Sequence, residues 1–149
     1  EKIKKWEEGD KNMDDKLKLV LVDDQEDILE TLEIKIPDLC DFDIEMFTFT
    51  NLQDATDFIF ENPIEAVITD IHLGEELGID IFEYCSYLNK GIQVIALSGD
   101  TSKETLEKCF NAGVEYFLNK PFQDEQIQEA LSKVRNHFQY WNKVIKDSM

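Results

Sequence analysis

Four apolar runs in this chain each lead into a side chain that can do chemistry. LKLVLV (17–22) runs into Asp23-Asp24, AVIT (66–69) into Asp70, IQVIAL (92–97) into Ser98, and VEYFLN (114–119) into Lys120-Pro121. Singly these are ordinary, because an acid or a hydroxyl after a strand is usually a helix cap or a loop residue. Jointly they form a reaction set. Three carboxylates gathered in one place repel one another and either raise a pKa or recruit a cation. Hard oxygen ligands, with room left for water and phosphate oxygens, suit Mg²⁺. A carboxylate left partly free beside that ion is a nucleophile for phosphorus and would carry an aspartyl phosphate; Asp70 fits that role. The Lys120 ammonium and the Ser98 hydroxyl would offset charge on the transferred oxygens.

The set exists only if the fold gathers it. Residues 17–22 are apolar on both faces, which predicts a strand buried in a parallel sheet. Residues 25–36 put Ile28, Leu32 and Ile36 at helical spacing, and Pro37 is expected to end that helix. A second strand follows over 42–49 with one more polar face, then a helix over 51–62 with Asn51 as its N-cap. Strands over 65–70, 92–98 and 114–119 alternate with helices over 78–89 and 101–113, Gly113 taking the left-handed position at the latter's end. A long helix closes the chain. Five such alternations imply an α/β domain with a doubly wound parallel sheet and helices on both faces. In that architecture the working crevice lies at the carboxyl ends of the strands, where all these polar residues fall.

The bulk composition removes several functions. With 33 acidic and 15 basic side chains the net charge is -18, and Arg135 is the only arginine. DNA or an anionic membrane would meet a negative field, so neither is expected as a direct partner. Cys40, Cys85 and Cys109 are odd in number and widely spaced, which indicates neither a disulfide framework nor a zinc site and points to a reducing cytoplasm. No apolar run approaches the ~20 residues of a membrane span.

The stretches VLVDDQED, VITDIHLGEELGIDIFEYC, VIALSGD and GVEYFLNKPF are similar to the receiver domain of two-component response regulators. The resemblance runs from about Lys16 to Val134. It divides the chain into an arm or linker (1–15), a receiver (16–134) and an extension of the last helix (135–149). It implies a flavodoxin-like (βα)5 fold of strand order 2-1-3-4-5, as in CheY. It also implies that Asp70 accepts a phosphoryl group from a histidine kinase or phosphotransfer protein. Asp23, Asp24, Asp70 and the backbone carbonyl of His72 would hold Mg²⁺, and Ser98 and Lys120 would bind the phosphoryl group. A cis Lys120-Pro121 bond, a glycine at Gly78 and a switch pairing Ser98 with Phe117 are further implications, as is the absence of catalysis beyond self-phosphorylation and self-dephosphorylation. His72 and Asp100 stand at positions tied in that family to the lifetime of the phosphorylated state.

Two rivals fit less well. A Mg²⁺-dependent phosphohydrolase of the haloacid-dehalogenase kind needs a second Asp two residues past its nucleophile, and this chain has His72 there. A flavodoxin-like nucleotide binder needs a Gly/Ser/Thr-rich first loop, and DDQED is the opposite. The output is open: a stand-alone regulator, a phosphate sink, or a receiver segment of a hybrid histidine kinase. The last helix exceeds what a receiver requires. Ile127, Leu131, Val134, Phe138, Trp141 and Ile145 form a heptad seam whose last three members, Phe138, Trp141 and Ile145, should run past the sheet. Ile3 and Trp6 of an acidic arm look a poor cover for them. A second copy of the helix, giving a homodimer, or a linker to a neighbouring domain is therefore favoured.

Overall fold

The computed structural model describes residues 16–73 and 76–149, so the arm over 1–15 lies outside the described residues. The elements are β1 (Leu17–Val22), α1 (Glu26–Leu39), β2 (Ile44–Phe49), α2 (Leu52–Glu61), β3 (Ala66–Asp70), α3 (Ile79–Leu88), β4 (Gln93–Ser98), α4 (Lys103–Ala112), β5 (Tyr116–Asn119) and α5 (Asp124–Asp147). The five strands pair in parallel in the order β2-β1-β3-β4-β5.

Side chains alternate across the sheet, and each face therefore receives its own apolar set. On one face Leu19, Leu21, Ile68, Ile95 and Leu97 meet Leu32 and Ile36 of α1 and Ile127, Leu131 and Val134 of α5. On the other, Val20, Val22, Val67 and Val94 meet Ala55 and Ile59 of α2 and Ile81 and Cys85 of α3. Each fully buried Leu or Ile contributes about 1.5–3 kcal/mol, which fixes the register. Asn51 caps α2 as expected, its Oδ1 accepting the Asp54 N–H at 2.8 Å. Gly113 ends α4 with φ 87°, where the added Cβ of any other residue would also press on the Phe82 ring.

Pro37 does not end α1. It sits inside the last turn, and the helix continues to Leu39. Leu39 packs against the core and its carbonyl accepts from Gln128 Nε2 at 2.7 Å, contacts that offset the one intrahelical bond a proline removes. The expected polar face of β2 is also apolar at its carboxyl end. Phe47 and Phe49 lie there with ring centroids 4.7 and 5.2 Å from Phe58 of α2. A small antiparallel pairing of His72–Leu73 with Glu76–Leu77 follows β3 and was not visible as a pattern. Of α5, only Ile127, Ala130, Leu131 and Val134 are fully buried; Phe138 still packs on the core, and Trp141 is 46% exposed. Among the described residues no helix is long and apolar enough to cross a membrane.

Candidate functional site

The backbone ladder runs one residue beyond the strands and so places the side chains that follow them. Asp23 N–H donates to the Phe49 carbonyl at 3.1 Å, Ile71 N–H to Leu97 at 3.0 Å, and Lys120 N–H to Ser98 at 2.9 Å. Asp23, Asp70 and Ser98 are buried; Asp24 is exposed. One oxygen from each of Asp23, Asp24 and Asp70 lies within 4.8 Å of the others. The three acids read from separate strand ends therefore form one cluster.

Lys120 enters it from β5. Its Nζ donates to Asp70 Oδ2 at 2.8 Å and lies 2.9 Å from Asp23 Oδ2. The second contact is an ion pair without hydrogen-bond alignment, which leaves the buried Asp23 Oδ2 short of a directed partner. Burial pushes the Asp23 carboxyl above its ordinary range, against the opposing pull of Lys120 and the Gln25 N–H, and Asp70 adds to the rise. Burial works to lower the Lys120 pKa, yet the hydrogen bond to Asp70 and the charges of Asp23 and Asp70 outweigh it and raise it. A hard oxygen cluster with an exposed third member and an under-coordinated buried oxygen fits a small divalent cation. The Lys120-Pro121 bond is cis.

Gly78 is explained by space alone, since its φ of −62° suits any residue. Its N–H donates to the Ile71 carbonyl at 2.7 Å, and a Cβ there would overlap the Asp70 carbonyl oxygen. The Asp70 carboxylate is held on its other oxygen as well, Oδ1 accepting the His72 N–H at 3.0 Å.

Ser98 is at the right strand end, but its hydroxyl is engaged elsewhere. Oγ accepts the Asp100 N–H at 2.9 Å, and among the described residues it makes no hydrogen bond to the acids or to Lys120. The His72 ring stands outside the acid cluster, with Nε2 3.7 Å from Asp100 Oδ2. Asp100 is pulled down to about 2, first by the Thr105 hydroxyl at 2.7 Å and then by Ser102. Thr105 is a site-side residue that sequence reasoning missed; its only signal was its position three residues after the α4 N-cap Ser102. Phe117 is half-buried against Ile71, Ala96 and Cys109 and pairs in register with Ala96, two residues before Ser98.

The chain belongs to the response regulator receiver domain family, which matches residues 19–132. It is 25% identical over 115 residues to the response regulator protein PilR of Pseudomonas aeruginosa, covering 77% of this chain and 25% of PilR. It is 30% identical over 87 residues to the transcriptional regulatory protein DcuR of Escherichia coli, covering 57% of this chain and 36% of DcuR. The matched region thus spans between a quarter and about a third of these relatives. The receiver domain of Francisella response regulator 1452 superposes with a TM-score of 0.72 at 20% identity, over 82% of this chain and 98% of that one. The chemotaxis protein CheY4 of Vibrio cholerae gives 0.68 at 19% identity, over 80% and 98%. The CheY-like order and the acid-lined carboxyl edge are those of a two-component receiver, a class that is generally not catalytic in its own right.

Proposed function

We propose that Asp70 is the phosphoacceptor, taking a phosphoryl group from a histidine kinase or phosphotransfer protein. One observation carries this reading: a buried carboxylate at a strand end, within 4.8 Å of two further acids and 2.8 Å from a lysine ammonium. Asp23, Asp24, Asp70 and the His72 backbone carbonyl would hold Mg²⁺. When bound, the ion would neutralise the carboxylates and draw charge from the phosphoryl oxygens. Transfer breaks the donor's N–P bond, leaving its electron pair on the imidazole, and forms an O–P bond to Asp70. The Lys120 ammonium, now shared between Asp70 and Asp23, turns to the phosphoryl oxygens. The Ser98 hydroxyl leaves the Asp100 N–H and donates to the same group. Phe117, packed two residues along the neighbouring strand, follows that movement and reshapes the surface of α4 and β5.

Purified protein mixed with a phosphohistidine donor should take up one phosphoryl group per chain with Mg²⁺ and none with chelator present. Titration calorimetry should find Mg²⁺ binding weakened in Asp24→Ala. Uptake indifferent to chelator, or Asp24→Ala binding Mg²⁺ like wild type, would remove the proposed metal ligands.

A further inference from the structure

One acid ties the β4–α4 connection together from both sides. Asp100 Oδ2 accepts the Thr105 hydroxyl at 2.7 Å, and Oδ1 accepts the Ser102 N–H at 2.9 Å. Through its backbone the same residue holds Ser98: the Asp100 N–H donates to Ser98 Oγ at 2.9 Å, and Oγ faces the Asp100 carbonyl as a donor at 3.4 Å. We propose that Thr105 is a positioning residue for phosphoryl transfer, which acts through Asp100 to keep the Ser98 hydroxyl turned away from Asp70 in the resting protein. The proposal rests on Asp70 being the phosphoacceptor and identifies the contact that must open when it is phosphorylated.

The hydroxyl inventory is the first argument. A serine has a single O–H to donate. Here it is directed at the Asp100 carbonyl, so it must turn from residue 100 before it can donate to a phosphoryl oxygen. At 3.4 Å that contact is weak by itself. What fixes it is the place of the Asp100 backbone, and the Asp100 side chain sets that place.

The anchor is the second. Thr105 and Cys109 are the buried residues of α4, four apart and so on one face of the helix. Cys109 packs against Ala96 and Ile71, which fastens that face to the sheet. The Thr105 hydroxyl is therefore carried by a packed helix, and its bond to a carboxylate is of the short, charge-assisted kind. His72 Nε2, 3.7 Å from Asp100 Oδ2, is beyond hydrogen-bond reach and cannot replace it.

The direction of the effect follows. A contact made in the resting form and broken in the phosphorylated one opposes the change by its own strength. Thr105→Val keeps the branched shape and the Thr105 N–H bond to the Ser102 Oγ cap at 3.3 Å, and it removes only the hydroxyl. The Asp100 side chain is 41% exposed, so water takes the vacated place and the fold is retained.

Beryllofluoride with Mg²⁺ occupies the place of a phosphoryl group on a carboxylate, and amide spectra of the full chain can follow its binding. Thr105→Val and Thr105→Ala should half-saturate at about threefold to tenfold lower beryllofluoride than wild type, and Thr105→Ser, which restores the hydroxyl, should match wild type. Without ligand, hydrogen exchange at the Asp100 N–H should be about tenfold faster in Thr105→Val and unchanged in Thr105→Ser, with far-ultraviolet spectra alike. A residue that merely stabilised α4 would weaken binding or leave it unaltered when changed, never tighten it. Unchanged or weaker binding by Thr105→Val, Thr105→Ser behaving like Thr105→Val, or unaltered Asp100 exchange would each overturn the proposal while leaving Asp70 as acceptor. Failure of wild type to bind beryllofluoride would overturn the Asp70 reading and this proposal together.

Discussion

Lys120→Ala removes one ammonium from between two buried carboxylates, and its cost follows from the geometry. Asp23 is 1% exposed and Asp70 6%, and Lys120 Nζ lies 2.9 and 2.8 Å from them. Deleting one partner of a buried ion pair costs about 3–5 kcal/mol, because the charge left behind is uncompensated. Two features reduce that here. The Lys120 side chain keeps 18% of its surface exposed, and Asp24 opens the cluster to solvent, so water reaches the acids once the ammonium is gone. A loss of about 2–3 kcal/mol is expected in chelator. For a chain of this length that lowers the melting temperature by roughly 4–12 °C. The same acids then attract a divalent cation without competition from Lys120. Millimolar Mg²⁺ should recover more stability in the variant than it adds to wild type, about 1–2 kcal/mol more if its affinity rises tenfold or somewhat beyond. Thermal unfolding followed by circular dichroism, with and without Mg²⁺, measures both quantities. If the deficit were the same in chelator and in Mg²⁺, the ammonium and the cation would not be neutralising one cluster, and the reasoning would fail.

Gly78→Ala should destabilise by about 1–3 kcal/mol and weaken Mg²⁺ binding, since its Cβ collides with the Asp70 carbonyl oxygen; an unchanged melting temperature would show the strand end to be more yielding than described. Burial pushes the Cys85 thiol up to about 12 and the Cys40 thiol to about 11. A raised pKa leaves little thiolate at pH 8, so native-state alkylation of both should run about a hundredfold or more slower than for a free thiol; a fast-reacting residue in peptide mapping contradicts this. The isolated chain should not shift duplex DNA at physiological salt, because a net charge of -18 gives counterion release little basic surface; a salt-sensitive gel shift at micromolar protein would overturn that.

The sheet and its acid cluster were legible because both rest on local signals. Apolar runs of strand length predict buried strands, and a parallel sheet sends every following residue to one edge. Asp23, Asp24, Asp70 and Lys120 needed nothing more to converge. Other features turn on partners far away in the chain. Ser98 Oγ accepts the Asp100 N–H in a β4–α4 connection where the Thr105 hydroxyl also donates to the Asp100 carboxylate. Pro37 stays helical because Gln128, 89 residues beyond Leu39, holds the Leu39 carbonyl. Phe47 and Phe49 looked like part of a polar face until α2 brought Phe58 over them.

The central claim is that Asp70 itself carries the phosphoryl group, and borohydride trapping tests it most directly. Protein phosphorylated with acetyl phosphate and Mg²⁺, reduced with borohydride and digested, should yield one modified peptide, with homoserine in place of aspartate at position 70. The Asp70→Asn variant should yield none. Homoserine at another carboxylate, or undiminished phosphate uptake by Asp70→Asn, would contradict the assignment.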